Sequence, residues 1–339
     1  MDARTAIKEI KQGKISPLYL CYGTEKYQIR EFVDTVTDQL VEPDNREFAV
    51  IHMDLTETPV EFVVEEAETL PFLVERKLVI VKAGSLFSAG KEGGKIEHNV
   101  DRLLSYLADP ADHSVVLFVV NGEKLDERKK TVKTIKSSGK VISFMPLKAE
   151  ELVQWVVREA GKRKCSMLQK AAETLIASSG VQMSALSAEL DKLSLFAGAG
   201  GEISVEAVEK LVARTTEQNV FGMVEDIANL KLDRAINTFY ELLKQKEEPI
   251  KIAALIARQF RIMLQVKELG GHSYSQQQIA SQLGLHPYAV KIASEQARKF
   301  SQAQLNNALL HLAQLDYEMK SGRMDKVLGI EMFLLRLGA

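Results

Sequence analysis

Gly23-Thr24-Glu25-Lys26 follow a short apolar run, Pro17-Leu18-Tyr19-Leu20-Cys21-Tyr22, and precede an amphipathic stretch that reaches Leu40. A glycine turn between a strand and a helix is where an α/β ATPase cradles its phosphates. That chemistry needs several glycines whose N–H groups wrap the phosphates, a lysine for the outer ones and a Ser or Thr for magnesium. Here a single glycine is followed by Thr24, Glu25, Lys26 and Tyr27, and the Glu25 carboxylate would repel a triphosphate. Two readings stay open at this point: an ordinary strand–turn–helix, or an ATPase fold that has lost its ATP. Beyond the apolar run ending at Val120, an ATPase would place acidic residues that hold magnesium and polarise the attacking water. This chain has Asn121-Gly122-Glu123-Lys124 instead. Both halves of the machinery are degraded in the same way, so the turn at 23–26 is expected to be non-functional toward nucleotide.

Three other groups of residues invite a function. Lys124, Arg128, Lys129, Lys130 and Lys133, extended by Lys136 and Lys140, set cations against Asp126 and Glu127 in one span. They form either a solvated helix with cations on more than one face or a patch that tracks phosphates. Ser275–Lys299 has the spacing of a helix-turn-helix, with Ile279-Ala280, Leu283-Gly284-Leu285 and Val290 in place, yet its second helix is not basic near its start, where base contacts are made. Two helices of a larger bundle would show the same spacing. In Leu70-Pro71-Phe72-Leu73-Val74 a large aromatic and a leucine occupy what should be a polar turn. Phe72 and Leu73 either fold back into the core or stand out as an anchor for a partner's apolar pocket. The histidines never pair at metal-ligand spacing, and nothing resembles a nucleophile elbow or a zinc-binding helix.

The elements that must position these residues fall into two styles. Strand-like runs at Leu18–Tyr22, Ala49–Met53, Lys77–Lys82, Ser114–Val120 and Lys140–Phe144 alternate with amphipathic stretches such as Glu61–Leu70, Val100–Leu107 and Asp126–Ile135. Such alternation predicts a parallel sheet flanked by helices. Val115–Val120 is apolar without a period of two, as a strand covered on both faces requires. Ala83–Gly94, with Gly84, Gly90, Gly93 and Gly94, reads as a surface loop. After Met145 the strand signals stop. Glu150–Ala160, Met167–Ser178 and Ser184–Phe196 read as helices, Gly198–Gly201 as a flexible exit, and Ser204 as a cap. From Phe221 onward everything reads as helix: 222–231, 233–245, 249–269, and a long run in which Leu305, Leu309, Leu312 and Leu315 share one face.

Composition narrows the classes. A chain of 339 residues makes two or three domains. Forty-four basic residues against forty-six acidic ones give a net charge of −2, so no field covering the whole molecule draws it to nucleic acid or an anionic membrane. The longest purely apolar run falls far short of the roughly twenty residues that span a bilayer. The charged N-terminus (Asp2, Arg4, Lys8, Glu9, Lys11) is no signal-peptide core, and a cytoplasmic location is expected. Cys21 and Cys165, outside any CxxC pattern, read as two buried thiols.

The order PLYLCYGTEKYQIRE, LPFLVERKLVIV, YLADPADHSVVLFVV, KLDERKK and FMPLKAEELVQWV resembles the delta subunit of the bacterial DNA polymerase III clamp loader, over nearly the whole chain. The resemblance implies an AAA+ type α/β domain over 1–145, a small helical lid over 146–213 and a helical collar over 214–339. It implies a subunit that needs no cofactor, neither binds nor hydrolyses ATP, and opens the sliding clamp by wedging an apolar pair into a clamp pocket. Phe72 and Leu73 match that pair; they follow Pro71 and precede Arg76, as the pattern requires. The implied partners are the sliding clamp (beta), the tau/gamma and delta prime subunits met through the collar, and primer-template DNA within the assembly. The resemblance also places Ser275–Lys299 in the collar and gives it no base-reading role. A helix-turn-helix regulator and an active AAA+ ATPase are the rival readings.

Overall fold

The computed structural model describes residues 3–84, 86–89, 96–272 and 274–338. The chain divides into two units, Met1–Pro146 and Leu147–Ala339.

The first unit runs α1 (Ala3–Lys11), β1 (Leu18–Gly23), α2 (Lys26–Leu40), α3 (Arg46–Ala49), β2 (Val50–Asp54), α4 (Val60–Glu68), β3 (Lys77–Lys82), α5 (Val100–Ala108), β4 (Ser114–Asn121), α6 (Lys130–Ser138) and β5 (Lys140–Phe144). All five strands are parallel, in the order β2-β3-β4-β1-β5. Successive side chains leave opposite faces of a strand, so each apolar run feeds two cores. Tyr19 and Cys21 join Ile10, Ile29 and Phe32 of α1 and α2 on one face; Leu18 and Leu20 join Val64, Leu107 and Ile135 of α4, α5 and α6 on the other. The handedness rule explains this division of helices. The first crossover, β1 to β2, travels three places outward over one face, and the later ones step back over the opposite face, which keeps every βαβ unit right-handed. Outgoing connections therefore diverge at the neighbours β1 and β4, where an open α/β sheet presents its ligand crevice.

The strands fall where the alternation of the sequence puts them, within a residue at each end. Two differences have physical causes. The helix expected over Asp126–Ile135 starts at Lys130, because the Asp126 carboxylate accepts from the Arg128 N–H and holds residues 126–128 in a turn. The loop expected at the surface over Ala83–Gly94 is anchored in the core instead: Phe87 is fully buried against Phe118, with ring centroids 5.1 Å apart. Gly90, Gly93 and Gly94 lie outside the described residues.

The second unit is mainly helical: α7 (Ala149–Lys162), β6 (Ser166–Met167), α8 (Gln169–Ser179), α9 (Met183–Ala197), β7 (Glu202–Ile203), α10 (Val205–Leu211), α11 (Thr216–Ala228), α12 (Leu232–Lys244), α13 (Pro249–Gly271), α14 (Gln276–Leu283), α15 (Pro287–Ala297), α16 (Gln302–Lys320) and α17 (Lys326–Gly338). Strand signals do not stop entirely at Met145. Met167, read from sequence as helical, pairs with Ile203 in a two-residue parallel ladder too short to leave a periodic trace. The glycines at 198–201, expected to be a flexible exit, form a defined turn: Gly198 and Gly200 have positive φ, and the Gly200 N–H donates to the Lys164 carbonyl at 2.8 Å. Trp155 and both cysteines are buried. Leu305, Leu312 and Leu315 do share one face, packed with Phe239, Ile256, Phe260 and Phe333.

Candidate functional site

The backbone donors of the turn at the carboxyl end of β1 are engaged within the protein. The Glu25 N–H donates to the Phe144 carbonyl of β5 at 3.1 Å, the Lys26 N–H to the Thr24 carbonyl at 3.1 Å, and the Tyr27 N–H to the Glu25 carboxylate at 3.3 Å. A phosphate would need these same donors at the start of α2. Glu25 is the N-cap and supplies its own anion, and burial raises its carboxyl pKa despite the bond from Tyr27. Gly23, which could have allowed a backbone to approach a ligand, serves the sheet: a Cβ there would sit 1.9 Å from the Phe144 carbonyl oxygen. Across the crevice Asn121 lies in register with Gly23, and the Gly122 N–H donates to the Gly23 carbonyl at 3.2 Å. Among the described residues no three His, Cys, Asp or Glu side chains gather as a metal site.

The first of the basic residues, Lys124 to Lys130, follow β4 and so lie toward the same, carboxyl edge of the sheet, whereas α6 runs back from there and Lys140 opens β5 at the amino edge. The structure distributes their charges unevenly. Arg128 folds back onto Asp126, with Nε 3.0 Å from Oδ1, and this bond holds the Asp126 carboxyl below its ordinary pKa. Lys136 pairs with Glu127 at 2.6 Å and Lys140 with Glu9 at 3.6 Å. Lys124, Lys130 and Lys133 are exposed and Lys129 is half-buried. Thr131, Val132 and Ile135 form the buried side of α6, which leaves Lys130, Lys133 and Lys136 together on its outward side rather than on several faces.

Phe72 and Leu73 are at the other edge. An α-to-β connection in a parallel sheet precedes its strand, so the α4–β3 link is separated from the 23–26 turn by the length of the strands, about 20 Å for six residues. Leu70, Phe72 and Leu73 are 77, 73 and 74% exposed. Folding back into the core, one of the two readings of this segment, is ruled out. Leu73 has φ +59°, a conformation that costs a non-glycine residue about 1–2 kcal/mol. The two ends of the link are tied down. At the α4 side the Ser114 hydroxyl donates to the Ala67 carbonyl at 2.6 Å and the His113 ring bonds the Glu68 carbonyl at 3.2 Å; Arg102 pairs with Glu68. At the β3 side the nearly buried Lys77 ammonium pairs with Glu66 at 2.6 Å, and Arg76 Nε donates to the Asp112 carbonyl at 3.1 Å. The tip thus projects an apolar pair from a link whose two feet are fixed. No sequence signal singles out these anchors, because they join residues 11 to 47 positions apart.

The helix-turn-helix spacing does yield two helices and a left-handed Gly284 between them. Their apolar residues Ile279, Ala280, Val290 and Ala293 pack on Val266, Ile262 and Leu269 of α13. The start of α15 is not presented for base reading: Pro287 and Val290 are buried, and Lys291 pairs with Glu150 of α7 at 3.1 Å.

Comparison with known proteins shows the family. A curated DNA polymerase III subunit delta of Bacillus subtilis is 41% identical over 330 residues, covering 97% of this chain and 95% of that protein. The chain belongs to the DNA polymerase III delta subunit family. Residues 19–145 match the family described as DNA polymerase III, delta subunit, and residues 217–337 match its C-terminal domain. A solved structure of the Bacillus subtilis DNA clamp loader delta protein aligns over 99% of both chains with 40% identity and a TM-score of 0.79. A probable DNA polymerase III subunit delta of Aquifex aeolicus is 21% identical over 94% of this chain and 90% of that protein. As a clamp-loader delta subunit, this member is a component of a DNA replication complex, and its sheet followed by helices is the family's fold.

Proposed function

We propose that this delta subunit binds the ring-shaped sliding clamp through Phe72 and Leu73 and helps open it for loading on primed DNA, with no catalysis of its own. The observation that carries this reading is the pair of large apolar side chains exposed on a link with fixed feet. Solvating such a pair is unfavourable, and a partner cleft that desolvates both recovers that cost. Fixed feet mean that little ordering entropy is lost on docking. A wedge opens a ring only by binding the open form more tightly than the closed one, so the tip must meet a cleft whose shape differs between the two. Co-elution of the purified chain with its organism's sliding clamp, without nucleotide, tests the reading. Separate elution at micromolar concentrations would overturn it.

The donors at the start of α2 are engaged within the protein, which supports a subunit that uses no ATP. Calorimetry with magnesium and ATP is expected to show no binding to the isolated chain; micromolar affinity would restore the active-ATPase reading. On this proposal the helices from about residue 214 onward form the collar that meets the tau/gamma and delta prime subunits, residues 146–213 act as the lid, and the assembly works on primer-template DNA in the cytoplasm. Lys124, Arg128, Lys129, Lys130 and Lys133 are the residues we assign to phosphate contact. With Arg128 turned onto Asp126, the isolated chain should bind DNA weakly, with affinity falling steeply between 50 and 200 mM salt as counterion release requires. Tight, salt-insensitive binding to one sequence would favour the helix-turn-helix reading instead.

A further inference from the structure

Of the bonds that tie down the apolar tip, one joins its two feet to each other. Ser114 and His113 reach the last turn of α4, Arg102 pairs with Glu68, and Arg76 bonds the Asp112 carbonyl, so each of these fixes one foot to α5 or to the segment that leads into β4. Lys77, the first residue of β3, instead pairs with Glu66 of α4, Nζ to Oε1 2.6 Å, and closes residues 67–76 into a loop at its base. The Lys77 side chain is 4% exposed and that of Glu66 36%. Fold stability does not account for a lysine here. Leu78, Val79, Ile80 and Val81, which follow it in β3, are buried and apolar, and an unbranched apolar side chain would fill the place of Lys77 without taking an ammonium out of water. Exchanging such an ion pair for apolar residues of similar volume is often neutral or stabilising.

What an ion pair supplies and an apolar contact does not is a single register. A charge-assisted hydrogen bond is short and directional, whereas hydrophobic contact is non-directional and lets side chains slide past one another. Glu66 lies before the exposed pair and Lys77 after it, so their bond fixes the separation of the two stems from which Phe72 and Leu73 project. Leu73 sits between these stems at φ +59°, a conformation that a non-glycine residue keeps only where its surroundings over-determine it. We infer that the Lys77–Glu66 ion pair is a positioning device: it sets the direction in which Phe72 and Leu73 project and adds nothing net to the stability of the fold. The inference rests on the clamp-binding reading for its functional consequence. A tip free to slide must be ordered as it docks, and that ordering weakens binding.

The test replaces the pair in the full-length chain with apolar residues, Lys77→Met together with Glu66→Leu. Lys77→Met alone is a second variant, in which water takes up the half-exposed Glu66 carboxylate. Both variants should melt at or above the wild-type temperature. Backbone order parameters of the link, residues 69–76, measured by NMR relaxation, should fall from about 0.85, the value of rigid backbone, toward about 0.6, while those of β1 and β4 stay unchanged. Affinity for the sliding clamp of the same organism should fall on the order of tenfold in both variants, far less than removal of the anchors themselves would cause. A link that stays rigid, with wild-type clamp affinity, in both variants would overturn the inference. So would a large drop in melting temperature in both, since the pair would then hold the fold. A wild-type chain that fails to bind the clamp would sink the clamp-binding reading, and the order parameters would still decide this inference.

Discussion

Replacing Phe72 and Leu73 together with alanine is expected to abolish clamp binding and leave thermal unfolding unchanged. Anchor residues in a desolvated pocket contribute roughly 2 kcal/mol or more each, so losing both should weaken binding on the order of a thousandfold. Truncating two core side chains would instead cost about 2–5 kcal/mol each and lower the melting temperature together with every activity. The exposure of both side chains predicts the first outcome. Clamp affinity and melting are therefore measured on the same double variant. Lost clamp binding with intact melting supports the wedge. Retained clamp binding sinks it, because two exposed apolar residues would then have no identified partner.

Gly23→Ala should damage the fold, not nucleotide binding. Gly23 has φ +149°, and a Cβ there would lie 1.9 Å from the Phe144 oxygen and 2.5 Å from its carbonyl carbon. Backbone cannot swing aside as a flexible side chain does. β1 and β5 would have to separate, and the Glu25 N–H bond to that same oxygen would lengthen. The expected loss is on the order of 3 kcal/mol, at the upper end of overpacking costs. Gly122→Ala is the control: a Cβ there meets nothing within 4 Å, and its stability should match the wild type within about 0.5 kcal/mol. Amide exchange along β1 and β5 in the full chain would report the difference. Equal protection in the two variants would show that the close approach of β1 and β5 is not what demands the glycine.

Much of this protein is written in local patterns. Apolar runs of strand length, separated by amphipathic stretches, determine a parallel sheet, since each βαβ unit needs a crossover and the crossovers cover both faces. The missing glycines and the Glu25 carboxylate already argue against a phosphate site, because that chemistry depends on residue types within one turn. What sequence could not decide was the direction of Phe72 and Leu73. A helix end followed by proline and two apolar residues is compatible with burial or projection. The outcome turns on Ser114, His113 and Asp112 reaching across from the end of the α5–β4 connection to fix the two feet of the link. The same holds for Ser275–Lys299, whose apolar spacing fits a DNA reader or a bundle until α13 covers it. Periodicity is a property of neighbours along the chain, while exposure depends on contacts between segments that sequence spacing does not encode.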